Sequence, residues 1–473
     1  MVRSSMKRFG ADRVNGDMVA ARCARVFLMV GLPALLLLCI LVPPFQGSDE
    51  PAHFLRALAV GEGQVVPQVL AHDPTQQGGP SAGGPVDAEA ADLALGFSPR
   101  ADHHYAIADV AKMAERHAAG HDRYAHHSNT AIYPPITYLP ATAAARLAGV
   151  AGLPPLWWLY LARLAGALVA AAILHAAIRR GGEAAPFLLV AATLPVTLFQ
   201  GAVLTTDAML LPCLLLFAAL LRRIGLRAAL TPLEHAATVA TLIVIALAKV
   251  AYLPMVILPA VAARLADGDW STRARGYALA AALATSLWLG WAWIVHDKIF
   301  PMYLGYHVDT PAQLAFVRAH PGAVLKTFAR TMARDLPSMT FGLTGSRLGL
   351  NDLMLPKPFI VLALIALVAS AVPATRPARI GVALPAWTSV VALACYVAIY
   401  LLLYLQFNGV GWSTVEGVQS RYLTPLAFLL LAVTPRLAVG DHAMERNVSL
   451  VVLWSGICAL VTVAGTLLNY WRL

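Results

Sequence analysis

Apolar stretches of roughly 18 to 24 residues, enough for a helix to cross about 30 Å of hydrocarbon, recur along almost the whole chain and are separated by short arginine-bearing turns. Such a chain cannot bury its apolar residues in one water-facing core, because each stretch needs lipid or another stretch against it. Windows of helix length place spans near residues 25–42, 155–178, 186–204, 208–226, 233–248, 251–266, 274–295, 356–373, 384–405, 422–439 and 447–469. They predict an all-α polytopic membrane protein of about eleven transmembrane helices. No cleavage site precedes the first stretch, so it is expected to be retained as a span. Only 13% of the 473 residues are charged, against roughly 25% in a soluble domain.

The net charge of +10 has a topological explanation. With a cytoplasmic N-terminus, the inner segments hold Arg3, Lys7, Arg8, Arg13, Arg22, Arg25, Arg179, Arg180, Arg222, Arg223, Arg227, Arg264, Arg273, Arg275, Arg376, Arg379, Arg436 and Arg446. These are 18 of the 35 basic residues, set against the eight acids Asp12, Asp17, Glu183, Glu234, Asp267, Asp269, Asp441 and Glu445. The rest of the chain is balanced, so the whole positive excess falls inside, as short cytoplasmic loops require. Nucleic acid is not an expected partner, because no basic stretch outside the membrane is interleaved with aromatics. The expected location is a bacterial inner membrane, with the active face extracytoplasmic.

The chain divides into a tail (1–24), a membrane module (25–295) that includes a long outer loop (43–154), a second outer loop (296–355) and a C-terminal group of spans (356–473). Within the first loop, residues 73–93 are rich in Gly, Pro, Ala and Asp and read as an irregular surface excursion. Residues 130–149 are apolar enough to suggest a span, but a crossing there would put Arg179 and Arg180 outside. A helix in the outer interface is therefore expected, with Tyr133 and Tyr138 at headgroup level.

Three groups of residues could carry chemistry. After the first span, PPFQGSDEPAHFLR sets Asp49 and Glu50 at the membrane surface; Ser48 is a candidate cap, and His53 and Arg56 follow one turn later. These carboxylates either cap a helix or act as a base toward an acceptor hydroxyl. Asp207, in LPVTLFQGAVLTTDA, lies at the outer end of a hairpin between spans, where an acid is costly and suggests a site. Lys249, Arg163 and Arg421 sit at span ends, where they either snorkel to headgroups or hold phosphate.

Eight of the 14 histidines fall in the first loop: His53, His72, His103, His104, His117, His121, His126 and His127. His117 and His121 are spaced i, i+4 without the intervening Glu of a zinc-protease helix, so they read as polar loop surface and no metal site is expected. The five cysteines lie in or beside spans and form no disulfide framework. No nucleotide-binding fingerprint appears, and no cofactor is expected.

The strings PPFQGSDEPAHFLRA, YPPITYLPA, LPVTLFQGAVLTTDA, AKVAYLP and GVQSRYLTP, in this order, resemble the bacterial membrane family called domain of unknown function 2142 over residues 30 to 430. That family in turn resembles the GT-C superfamily of membrane glycosyltransferases, which includes protein O-mannosyltransferases and aminoarabinose transferases of lipid A. The resemblance implies a GT-C-like bundle with two long extracytoplasmic loops, a polyprenyl-phosphate-linked sugar as donor and a glycan, lipid or protein as acceptor. It matches Asp49 and Glu50 to the first acidic motif, Asp207 to the second outer acid, and Lys249 to the basic residue after the fifth span. Ser420 departs from the usual Gly of GVQGRY, while Arg421 and Tyr422 are in place.

The resulting expectation is a glycosyltransferase with Asp49, Glu50 and Asp207 as catalytic carboxylates, Asp49, with or without Glu50, deprotonating or positioning the acceptor hydroxyl. His53, Arg56, Tyr133, Tyr138, Arg163, Lys249, Tyr252, Gln419, Arg421 and Tyr422 would bind substrate, with Trp412 as a further aromatic wall. The alternative is a transporter or flippase, or a non-catalytic partner, that binds lipid-linked saccharide with the same groups.

Overall fold

The computed structural model describes residues 16–76, 78–96, 104–300, 308–375 and 380–472. Arg3, Lys7, Arg8, Asp12, Arg13, His103, Arg376 and Arg379 lie outside the described residues.

The first span, α1 (Gly16–Leu41), ends where the extended Val42 leads into Pro43 and Pro44, which cannot continue a helical hydrogen-bond ladder. The long loop that follows then folds into a small layer. Helix α2 (Glu50–Gly61) covers an antiparallel sheet of β1 (Gln68–Leu70), β2 (Ser81–Asp87) and β3 (Asp122–His126), with β2 in the centre. Helix α3 (Ala88–Leu95) follows, with the Asp87 carboxylate accepting from the backbone N–H groups of Glu89 and Ala90. Residues 73–93 are therefore not an irregular excursion. Their glycines serve close approach: a Cβ on Gly83 would lie 2.2 Å from the Ala125 carbonyl oxygen, and one on Gly84 would strike Gln64. Residues 130–149 hold a turn and the twelve-residue helix α4 (Leu139–Val150), too short to cross. It packs on α2 and on the next span and leaves Leu147 and Val150 exposed.

The membrane part continues with α5 (Pro155–Arg180), then α6 (Ala185–Thr193) and α7 (Pro195–Ala202), which meet at a 61° bend where Pro195 interrupts the ladder. Helix α8 (Asp207–Gly225) is the centre of the bundle, packed by α5, α7, α9 (Pro232–Ala248) and α10 (Val250–Asp267). Next come α11 (Thr272–Lys298), the loop helices α12 (Thr310–Ala319) and α13 (Pro321–Gly342), α14 (Lys357–Ala371), α15 (Ala383–Gln406), α16 (Thr424–Val433) and α17 (Asp441–Tyr470). Among the described residues, seven helices are long and apolar enough to cross a membrane, or eight if the bent pair counts as one span. The remaining three expected spans coincide with the shorter apolar segments Pro232–Ala248, Lys357–Ala371 and Ser420–Val433. The protein is an α-helical, polytopic membrane protein, with minor sheets at its loops. All five cysteines are buried and unbridged.

Among the described residues, four of the arginines expected on the inner side, Arg180, Arg222, Arg223 and Arg436, meet at helix ends on one side of the bundle. Arg180 and Arg223 each lie 3.4 Å from Glu234, which also closes the capping box of α9 with Thr231. Arg222 donates to the carbonyls of Ala432 and Thr434, and Arg436 to that of Ala371. Where α1 ends, the Trp471 indole at the foot of α17 donates to the Leu41 carbonyl at 2.6 Å.

Candidate functional site

Between Pro43–Pro44 and Pro51 the chain makes a tight turn. Ser48 is not the helix cap: its hydroxyl donates to the Gly349 carbonyl at 2.7 Å, and Asp49, at φ 56°, occupies the cap position. A left-handed non-glycine residue is uncommon and strained, and Asp is among those that tolerate it best. The turn points the two neighbouring acids in different directions.

Glu50 turns inward. Its carboxylate accepts from Arg163 through Nε and Nη2, from the Leu204 N–H at 2.9 Å and from the Gly47 N–H at 3.1 Å. Arg163 uses its remaining donors on the carbonyls of Cys39, Val42 and Pro43. Both side chains are fully buried, and every guanidinium donor has an acceptor. This pair ties the end of α1 to α2, α5 and the loop before α8, and it is shut off from solvent.

Asp49 turns outward. Its side chain is 49% exposed, and it accepts from Asn129 at 3.2 Å while Arg421 Nη2 stands 3.8 Å away. Arg421 Nε stands 3.8 Å from Asp207 on the other side. Asp207, at the first turn of α8, is bonded to Lys249 at 2.5 Å. Lys249 ends α9 in an extended conformation; its ammonium lies 4.7 Å above the Tyr422 ring, which also carries the Arg421 guanidinium at 5.4 Å. Tyr252 holds this ring's backbone, donating to the Tyr422 carbonyl at 2.8 Å. The Nε and Nη1 atoms of Arg421 are buried and have no hydrogen-bond partner. One cation thus stands between two carboxylates, with donor capacity in reserve.

The floor beside Asp49 is aromatic. His53 Nδ1 and the Tyr138 hydroxyl are 2.6 Å apart, and the Tyr133 ring stacks on His53 at 6.0 Å. Burial pulls His53 down to about 4, so the imidazole is neutral at pH 7. Burial likewise raises the Tyr133 and Tyr138 hydroxyls, which stay protonated.

The other expected site residues lie apart from this cluster. Arg56 caps the carbonyls of Gln64, Val65 and Tyr133 and stands 6.0 Å from the Trp291 ring, a structural position. Gln419 precedes the short turn Ser420–Tyr422 that presents Arg421. The Trp412 carbonyl accepts from Tyr404 at 2.8 Å. The loop histidines are not all surface: His127 is 1% exposed, and burial draws it down to about 3. Sequence reasoning missed Asn129, in the SNT turn before α4; only its distance to Asp49 marks it.

These features define a polytopic helical membrane protein with a charged cluster where several span ends meet a folded loop. The chain belongs to the family described as predicted membrane protein (DUF2142), whose model matches residues 32–430. No curated protein and no solved structure matches it.

Proposed function

We propose that this protein is a membrane glycosyltransferase of GT-C type, moving a sugar from a polyprenyl-phosphate donor to an envelope glycan, lipid or protein acceptor outside the bacterial inner membrane. The observation that carries this reading is Arg421, held 3.8 Å from both Asp49 and Asp207 with two buried donors unpartnered. A phosphate oxygen would take those donors, and the aromatic floor of Tyr133 and His53 would receive the sugar. The outward face rests on the clustering of arginines at the opposite end.

In this mechanism the exposed Asp49 takes the proton of the acceptor hydroxyl as its oxygen attacks the anomeric carbon. The bond from that carbon to the phosphate oxygen breaks with inversion, and the polyprenyl phosphate leaves with its new charge on Arg421. Lys249, bound to Asp207, supports that charge from behind. Glu50 and Arg163 position the turn that carries Asp49.

One observation favours the transport reading: the 61° break between α6 and α7 leads directly to Asp207, and broken helices line binding sites in transporters. Cells lacking the protein, complemented with wild type or with Asp49→Asn, separate the readings. We expect Asp49→Asn to reach the membrane at the wild-type level and to leave the missing glycan missing. Full restoration of the glycan would remove the base from the mechanism and leave a protein that binds or moves the saccharide.

A further inference from the structure

Helix α13 has three faces. Val324, Thr327 and Thr331 are buried, and Phe328 seats the helix on Tyr400 and Tyr404, at 5.9 Å from each ring. About 100° around the helix, Leu325, Ala329, Met332 and Leu336 repeat at spacings of four, three and four residues, so they form one continuous stripe. All four are exposed; Leu325 is 70% and Leu336 58% accessible. Roughly the same angle further round stand Lys326 and Arg330, both exposed. Arg334 belongs elsewhere, paired with Asp335 and Glu416.

The surroundings set the depth of this helix. Tyr400 and Tyr404 lie in the last two turns of α15, one turn beyond the exposed Leu393 and Val397. The Leu343 carbonyl after α13 accepts from Thr424 at the first residue of α16, and Gly342 abuts Ser420. The contacts of α13 are thus with the ends of spans and the loops joining them, level with the boundary of the hydrocarbon. An apolar stripe flanked by basic residues at that level has the pattern of a helix lying in a membrane surface.

We propose that α13 lies in the membrane interface, its Leu325–Leu336 stripe sunk among acyl chains and Lys326 and Arg330 on the phosphates of anionic lipid headgroups. The occupant of the stripe is lipid, because α13 sits on Tyr400 and Tyr404, just beyond the exposed apolar Leu393 and Val397 of α15, and its flanking charge complements anionic headgroups. The consequence reaches the site. The Thr331 hydroxyl accepts from the Val415 N–H at 2.9 Å, so α13 grips the segment that leads to Arg421.

The test uses the full chain in vesicles of phosphatidylcholine with phosphatidylglycerol. An environment-sensitive fluorophore is placed by Met332→Cys, by Leu336→Cys as a second reporter, and by Lys326→Cys; the five native cysteines are buried, and unsubstituted protein gives the background. We expect the probes at 332 and 336 to be quenched by acyl-chain nitroxides and shielded from iodide, and the probe at 326 to show the reverse. In a second arm, Lys326→Gln and Arg330→Gln on the Met332→Cys chain should each reduce the ratio of lipid-embedded to exposed probe about fivefold in anionic vesicles, the attraction of one basic group at such a surface. Iodide quenching at 332 and 336 would show a water-facing stripe and overturn the proposal. Shielding from both quenchers would show a protein cover, either a partner or a second copy, and overturn it equally. Depth is read without reference to leaflet, so this result is independent of the topology and of the transferase reading.

Discussion

Arg163 clasps Glu50 through Nε at 2.7 Å and Nη2 at 2.6 Å, and neither side chain is exposed. Removing one partner of such a pair strands a buried charge, at a cost of roughly 3–5 kcal/mol. Arg163→Met also deprives the carbonyls of Cys39, Val42 and Pro43 of their donor, so it should destabilise by at least that much. Asp49→Asn, beside it in sequence but half-exposed, should leave stability within about 0.5 kcal/mol. Thermal unfolding in detergent micelles checks both, and equal melting temperatures for Arg163→Met and wild type would contradict the structural role given to the pair.

Asp207 and Lys249 form a second, largely buried pair, in this case next to Arg421 and the half-exposed Asp49. Lys249→Met leaves the Asp207 carboxylate with only the more distant Arg421, while Asp207→Leu combined with Lys249→Met removes both charges. The double variant should therefore unfold at a higher temperature than Lys249→Met alone, with a coupling of roughly 1–3 kcal/mol. Under the proposed transferase mechanism both variants should lose glycan formation, since Lys249 would support the leaving phosphate. A double variant whose loss of stability equals the sum of the losses of Lys249→Met and Asp207→Leu, each measured alone, would mean that the ion pair is not coupled.

The histidines predict a pH dependence. His53 and His127 lie outside the spans, and burial lowers them to about 4 and about 3, below the ordinary value near 6.5. Between pH 4 and 6.5 the unfolded chain binds more protons than the folded one. Stability then rises with pH through this window and is lost as pH falls. Each histidine should contribute a slope of roughly 1.4 kcal/mol per pH unit near pH 5. His127→Gln should flatten the slope of the melting temperature between pH 4.5 and 6.5; an unchanged slope would show that His127 is not titrating in this way.

How much of this was readable beforehand depends on what each feature is made of. Asp207, Lys249 and Arg421 were visible because a charge at the end of an apolar run is conspicuous, and the structure brings all three together. The Glu50–Arg163 lock was not, because most of its acceptors are backbone carbonyls and Arg163 read as a headgroup anchor or a phosphate-binding group. Strand β2 was hidden because SAGGPVD carries turn residues; Gly83 and Gly84 are there so that β3 and Gln64 can approach. The divergence of Asp49 and Glu50 depends on a single left-handed φ, which no periodicity announces.

Gly83 offers a direct check on the loop fold. A methyl group there meets the Ala125 carbonyl oxygen at 2.2 Å, on the backbone of β3, where no flexible side chain can give way. Gly83→Ala should open the sheet and make the segment between β2 and β3 sensitive to protease in intact spheroplasts, at unchanged cleavage elsewhere. Wild-type protection of that segment would mean the sheet can shift to accept the methyl group.

The last prediction concerns the number of crossings. Trp471 donates to the Leu41 carbonyl, so α17 finishes at the same end of the bundle as α1, and both run in the same direction. Parallel first and last spans require an odd number of crossings between the tail and the C-terminus, which eleven satisfies. With the arginine-rich end in the cytoplasm, an alkaline phosphatase fused after Leu473 should be active and a fluorescent protein fused there in the same cells should stay dark. A fusion truncated after Asp207 should behave alike, because Asp207 lies at that end too. A bright C-terminal fluorescent fusion with inactive phosphatase would place the Asp49–Arg421 cluster on the cytoplasmic side, where a polyprenyl-phosphate donor facing outward could not reach it.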